Sequence, residues 1–160
     1  DAAQIYGNQD EVGTGVNRAL KDTGLKREDL WVTSKIWMVD FAPEDVGPAF
    51  DRILKDLQLD YVDQILLHWP SVFDKPPKGS SPGNYPEKWA GTEDPMFPKD
   101  KDGNLLHRDV PLSDTWKALM NEKKAGKVRS IGVSNFSTQE IKDMTQGGAE
   151  MPAVNQVEAH

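Results

Sequence analysis

Helical and strand-like hydrophobic patterns alternate along this chain of 160 residues. Apolar residues recur every three or four positions in the predicted helices, and short runs rich in β-branched and aromatic residues mark the predicted strands. Such alternation requires parallel strands joined by helical crossovers. The predicted helices cover residues 10–20, 43–57, 112–126 and 137–145, and the predicted strands cover residues 29–35, 61–68, 128–134 and 154–158.

Two architectures satisfy this alternation, an open doubly wound sheet and a closed (β/α)8 barrel. An open sheet that binds a nucleotide usually carries a glycine-rich turn after its first strand. The nearest match, Gly13-Thr14-Gly15, lies inside the first predicted helix and lacks the third glycine. Three predicted strands end in polar residues, at Lys35, His68 and Ser134-Asn135. Because barrels place their active sites at the carboxyl ends of the strands, a parallel (β/α)8 TIM barrel is favoured.

The composition narrows the classes of partner. The formal net charge is −7, whereas a protein that binds nucleic acid or anionic lipid needs a basic face. No apolar run reaches the roughly 18 residues of a membrane span, and the chain has no cysteine for a disulfide or a thiolate zinc site. We therefore expect a cytoplasmic protein, a monomer or weak dimer, that binds a small molecule rather than nucleic acid or a membrane.

Residues 71–111 interrupt the alternation. They are rich in proline and glycine and show no apolar period. A segment of this length without regular structure is usually functional or disordered. We interpret it as a long, lid-like loop insertion within a single domain that covers residues 1–160.

Four residues have the chemistry that reduction of a carbonyl group requires. The reaction needs a proton donor for the developing alkoxide and a group that holds the carbonyl oxygen. The phenol of Tyr6 has an ordinary pKa of about 10, and a neighbouring ammonium such as Lys35 makes it a stronger acid. A carboxylate such as Asp1 would keep a buried Lys35 charged, and His68 would donate a hydrogen bond to the substrate oxygen.

The sequence segments around these residues resemble the signature motifs of the aldo-keto reductase family. Residues 1–8 read Asp-Ala-Ala-Gln-Ile-Tyr-Gly-Asn, which resembles the family's Asp-x-Ala-x-x-Tyr-Gly-Asn motif. Four further segments resemble family motifs in the same order, so that the resemblance extends over the whole chain. These are Thr-Ser-Lys-Ile-Trp at 33–37, the segment at 60–70 that ends in Leu-His-Trp-Pro, Gly-Lys-Val-Arg-Ser-Ile-Gly-Val-Ser-Asn-Phe at 126–136, and the segment at 152–160 that contains Asn-Gln-Val-Glu.

The resemblance implies a role for each matching residue. Tyr6 is the expected general acid, Lys35 and Asp1 tune its pKa, and His68 orients the carbonyl. The expected cofactor is NADPH, with NADH as the alternative, and the substrate is a small-molecule carbonyl compound. The residues implied to hold the nicotinamide carboxamide are Ser134, Asn135 and Gln156, and those implied to line the substrate pocket are Trp37 and Trp69.

The length and the insertion add two expectations. A complete barrel of this type typically needs about 250 residues, so we expect this chain to be an internal fragment that supplies roughly the middle half. The amino-acid sequence of the insertion, with Phe-Pro-Lys-Asp at 97–100, resembles that of fungal aldose or glyceraldehyde reductases. Small polar aldehydes are therefore the expected substrates.

Rival interpretations differ in what they require of the sequence. A short-chain dehydrogenase uses a Tyr-x-x-x-Lys pair, which none of the three tyrosines forms. A non-catalytic nicotinamide-nucleotide-binding regulatory subunit of the same fold remains the alternative, and so does a truncated product without activity. No metal site is expected, because the sequence pattern around Glu158 and His160 supplies no clear third metal ligand. His107 is interpreted as a loop residue, and Trp31, Trp89 and Trp116 as core or loop anchors.

Overall fold

The protein is described by a computed structural model that defines residues 1–159. Its four strands form one parallel sheet in the order β1-β2-β3-β4, and each strand is preceded by a helix. The predicted alternation and the parallel sheet are therefore confirmed, as part of a (β/α)8 barrel. The strands are β1 Thr33–Ile36, β2 Val62–Leu67, β3 Val128–Ser134 and β4 Asn155–Gln156, and the helices are α1 Gln9–Thr23, α2 Pro43–Leu57, α3 Leu112–Lys124 and α4 Thr138–Met144.

Helix α2 shows how the sequence produces this layer. Pro43 occupies the first turn, where its missing N–H costs nothing. Gln58 ends the helix in the left-handed conformation, with φ of 55°. The apolar face then packs between the sheet and α1 and α3, so the core lies between the strands and their helices. The buried residues on that face are Val46, Ala49, Phe50, Ile53 and Leu57.

The first predicted strand begins later than its sequence indicates. Residues Arg27–Asp29 form a 3₁₀ turn, in which an Asp29 carboxylate oxygen accepts the Lys26 backbone N–H at 2.9 Å. The strand itself covers only Thr33–Ile36. Trp31 therefore precedes it with 64% of its surface exposed, and its prediction as a core or loop anchor is wrong.

The other two predicted tryptophan anchors are confirmed. Trp116 is fully buried in the core, and its indole N–H donates to the Glu150 carbonyl at 2.8 Å. Trp89 donates its indole N–H to the Asp74 carbonyl at 2.8 Å, and this hydrogen bond joins two parts of the insertion.

The last predicted strand is shorter than expected. Only Asn155 and Gln156 pair, with Val133 and Ser134 of β3. The remaining residues of the predicted range 154–158 make no ladder within the described part of the chain. Beyond Gln156 the reason is that the partner strand β3 ends at Ser134.

The insertion from residue 71 to residue 111 is fastened to the carboxyl edge of the sheet. Phe73 and His107 form an antiparallel bridge that joins its two ends, and Lys99 and Leu105 form a second bridge within it. The Ser71 hydroxyl also lies 2.9 Å from Nδ1 of the exposed His107. Its role as a lid remains a prediction.

A buried ion cluster holds the opposite, amino edge of the sheet. Asp63, near the start of β2, is 1% exposed. It accepts the Val32 backbone N–H at 2.8 Å and pairs with Arg27 at 2.8 Å and Arg129 at 3.1 Å. A buried carboxylate needs such partners, and these three tie the starts of the first three strands together.

Helices α1 and α2 approach each other at Gly13. A Cβ atom at this position would lie 2.3 Å from the Leu57 carbonyl oxygen. Gly13 is thus a packing glycine, which agrees with its interpretation as part of a helix. No described helix is long and apolar enough to cross a membrane.

Candidate active site

The polar ends of the strands meet at the carboxyl edge of the sheet. Lys35 lies in β1, His68 directly follows β2, and Ser134 ends β3. The segment before α1 runs beside them, because the Ala2 backbone N–H donates to the Thr33 carbonyl at 2.8 Å. This contact brings the chain start and the 3₁₀ turn Gln4–Tyr6 to the same edge.

Lys35 is the centre of this edge. Its side chain is 1% exposed, and Nζ lies 2.9 Å and 3.0 Å from the two carboxylate oxygens of Asp1. Nζ also donates to the Ala2 carbonyl at 3.1 Å and to the Tyr6 hydroxyl at 3.3 Å. A buried ammonium is costly unless it is paired and hydrogen-bonded. Asp1 and Ala2 meet that requirement and direct the charge towards the Tyr6 oxygen.

His68 closes the other side of the tyrosine. The two rings meet edge to face, with centroids 5.9 Å apart, and the Trp37 ring packs on His68 at 5.1 Å. Burial lowers the pKa of His68 to about 4, and the positive charge of Lys35 adds to the effect. The imidazole is therefore neutral at pH 7, with one nitrogen that donates and one that accepts. Nδ1 is buried and has no hydrogen-bond partner among residues 1–159.

The Ser134, Asn135 and Gln156 residues form one connected polar group beside this pair. The Ser134 hydroxyl donates to the Gln156 carbonyl at 2.8 Å, and the Asn135 side-chain amide donates to Ser134 and to the His68 carbonyl, both at 3.0 Å. Asn135 has φ of 62°, a conformation that asparagine tolerates better than most residues. The Gln156 amide reaches Asp1 at 3.4 Å, so the structure brings these three residues and the lysine pair to one place.

The two predicted pocket tryptophans lie at the mouth of the site. They line an open cavity of about 500 Å³. Trp37 is buried, whereas Trp69 is 46% exposed. The Trp37 indole N–H donates to the Met96 carbonyl in the insertion at 2.7 Å. Besides these tryptophans, the side chains that line the cavity come from Met38, Pro70, Ser71, Phe73, Phe97, Leu105 and His107.

Two residues next to this site, Gln4 and Asp40, were not among the predicted site residues. Asp40 is 1% exposed, and one of its oxygens accepts the Gln4 amide at 2.5 Å. The available signal was a lone acidic residue at position 40 within the apolar run Trp37–Ala42. A charge in a buried run indicates a partner, but not which partner.

Within residues 1–159, no group of three or more histidine, aspartate or glutamate side chains is arranged to hold an ion. The sequence pattern that paired Glu158 with His160 involves a residue outside the described part of the chain.

Comparisons with known proteins agree on the family and the fold. The model of the Aldo/keto reductase family matches residues 1–160. The chain is 44% identical to D/L-glyceraldehyde reductase of Hypocrea jecorina and to NAD(P)H-dependent D-xylose reductase I,II of Candida tropicalis. Both alignments include 100% of this chain, and they cover 44% and 46% of the two relatives, respectively. The solved structure of aldose reductase from Giardia lamblia matches with a TM-score of 0.85 at 36% identity, over 100% of this chain and 48% of that one. The chain thus spans about half the length of the relatives it matches.

Proposed function

Because the chain belongs to the Aldo/keto reductase family, we propose that it forms the catalytic part of an enzyme that reduces aldehydes and ketones to alcohols with NADPH or NADH. The observation that carries the proposal is the contact between a buried ammonium and a phenol, Lys35 Nζ to Tyr6 Oη at 3.3 Å, beside a neutral imidazole. Both relatives described above are named as reductases of carbonyl compounds, and one of them as dependent on NAD(P)H.

Proton transfer follows from the direction of these hydrogen bonds. Lys35 donates to the Tyr6 oxygen, so the phenolic proton is directed away from Lys35. Tyr6 donates that proton to the substrate oxygen as negative charge develops there. The ammonium stabilises the phenolate that remains, and Asp1 keeps the ammonium charged. The neutral His68 donates a hydrogen bond to the same oxygen and orients the carbonyl.

The polar group of Ser134, Asn135 and Gln156 fits a nicotinamide carboxamide. An amide ligand needs both donors and acceptors, and hydroxyl and amide side chains supply both. Hydrogen bonds to the His68 carbonyl and to Asp1 hold the group beside the proposed proton donor, so these residues would hold the nicotinamide. The bound nicotinamide cofactor supplies the hydride.

The relatives support small polar aldehydes as substrates, and the cavity supplies an aromatic wall for them to contact. Trp37 and Trp69 would bracket the bound molecule. By their names, these relatives are reductases of glyceraldehyde and of D-xylose.

The test uses a complete-barrel protein that contains this sequence. Its activity is followed as loss of NADPH absorbance with glyceraldehyde, beside Tyr6→Phe and the control Tyr61→Phe, whose hydroxyl pairs with Arg129 at the amino edge. We expect Tyr6→Phe to lower kcat by at least about 10²-fold with cofactor binding preserved, and the control to stay active. Binding of NADPH without turnover of a panel of aldehydes would overturn the proposal and favour a non-catalytic nucleotide-binding subunit.

A further inference from the structure

Asp40 binds one donor from each of three separate parts of the chain. It ends the 3₁₀ turn Met38–Asp40 that follows β1, and its side chain is 2% exposed. One carboxylate oxygen accepts Lys75 at 2.5 Å. The other accepts Arg52 at 2.7 Å and the Gln4 amide at 2.5 Å. We call these four residues the Asp40 cluster.

Gln4 links this cluster to the tyrosine turn. It lies in the same 3₁₀ turn as Tyr6, and its side-chain amide is held at both ends. Its nitrogen donates to Asp40, and its oxygen accepts the Trp37 backbone N–H at 2.9 Å. A rotation of the turn that moves Tyr6 would have to break one of these hydrogen bonds.

Lys75 and Trp37 extend the connection to the insertion. Lys75 lies within residues 71–111 and binds Asp40, while the Trp37 indole binds the Met96 carbonyl in the same insertion. The Asp40 cluster therefore joins the segment that carries Tyr6, the Trp37 wall of the cavity and the insertion that contributes to the cavity lining.

Stability alone does not account for the arrangement. The side chains of Arg52 and Lys75 are 49% and 39% exposed, and ion pairs with half-exposed partners contribute little beyond offsetting the burial of the carboxylate. The neutral Gln4 amide adds no charge to that balance. What it adds is a fixed direction for the turn.

Resting on the proposed function, we propose that Asp40 is a positioning residue for proton transfer, which acts through Gln4 to hold the Tyr6 hydroxyl at Lys35. A displacement of about 1 Å at a reacting group can cost about 10²-fold in rate. The cluster forms no hydrogen bond with any of the three residues assigned to the cofactor carboxamide, so cofactor affinity should not change with it.

The test compares three variants of a complete-barrel protein. Asp40→Asn removes the charge. Gln4→Met leaves the charge and removes both hydrogen bonds of the Gln4 amide, to Asp40 and from the Trp37 backbone N–H. Asp63→Asn is the matched control, because Asp63 is an equally buried carboxylate with two arginine partners at the opposite edge of the sheet. The measurements are kcat, KM for NADPH, and hydrogen–deuterium exchange of the backbone amides of residues 4–8.

We expect Asp40→Asn and Gln4→Met to lower kcat by about 10- to 10²-fold with KM for NADPH within about twofold, and to speed exchange in residues 4–8 at least about tenfold. Asp63→Asn should lose stability and keep kcat. Equal kcat in all folded variants of an active enzyme would overturn the positioning role and leave the proposed function standing. If the parent reduces no aldehyde, the proposed function fails, and unchanged exchange in residues 4–8 would overturn the positioning role independently.

Discussion

Lowering the pH from 7 to 4 should destabilise the protein through His68. Burial, with the charge of Lys35 as the second cause, lowers the pKa of His68 from 6.5 to about 4 in the folded state. The unfolded chain takes up this proton near pH 6.5, whereas the folded protein takes it up only near pH 4. The penalty therefore begins as the pH falls below about 6.5 and is complete below about 4. At about 1.4 kcal/mol per tenfold change in proton affinity, it reaches about 3 kcal/mol.

The assay is urea unfolding of a complete-barrel protein and of His68→Gln at a series of pH values. Carboxylates titrate over the same range in both proteins, so the difference between their pH slopes isolates His68. Carbon-13 histidine NMR gives the pKa directly, with the resonance assigned by its loss in His68→Gln. In Lys35→Met we expect the pKa of His68 to rise only part of the way to 6.5, because burial is the larger cause.

Two results would refute this reasoning. A His68 resonance that titrates near pH 6.5 would show that the site does not disfavour the imidazolium. Equal pH slopes for the parent and His68→Gln would show that the folded and unfolded states bind the proton alike. Either result would mean that the site does not hold His68 neutral more firmly than water does.

Two further predictions concern helix packing and the cofactor. Gly13→Ala places a methyl group against the Leu57 carbonyl and should lower the free energy of unfolding by about 1–3 kcal/mol. Gly15→Ala meets no atom within 4 Å and should raise it by up to about 1 kcal/mol; urea unfolding in which Gly13→Ala is the more stable variant would contradict the packing argument. Asn135→Gly keeps the positive φ but loses two amide hydrogen bonds, and we expect about tenfold weaker NADPH binding by fluorescence titration, so an unchanged Kd would exclude this amide from the cofactor site.

The sequence predicted the order of the elements because each helix and strand carries its own hydrophobic period. Helix α2 and strand β3 agree with their predicted ranges to the residue. The start of β1 and the end of β4 did not. The 3₁₀ turn Arg27–Asp29 occupies the predicted start of β1, and β4 ends where its ladder partner β3 ends, at Ser134. Trp31 illustrates the failure. As a β-forming residue it was included in the predicted strand, but the 3₁₀ turn Arg27–Asp29 precedes it and β1 begins only at Thr33.

The site was predictable to the extent that topology alone brings its residues together. Lys35, His68 and Ser134 lie in the last residues of parallel strands or directly after them, and the carboxyl ends of parallel strands share an edge. The Asp40 cluster was not predictable in this way. Asp40 and Gln4 are separated by 36 positions and belong to irregular turns, for which no periodicity specifies a partner.

Two buried carboxylates, Asp40 after β1 and Asp63 in β2, show why burial does not reveal function by itself. Asp40 and Asp63 have the same exposure and the same number of cationic partners. Asp63 fastens strand starts at the amino edge, where barrels keep residues that serve stability. Asp40 lies beyond a strand end, and its additional neutral partner belongs to the turn of Tyr6. Loss of either charge should therefore cost stability, and only loss of Asp40 should also cost turnover.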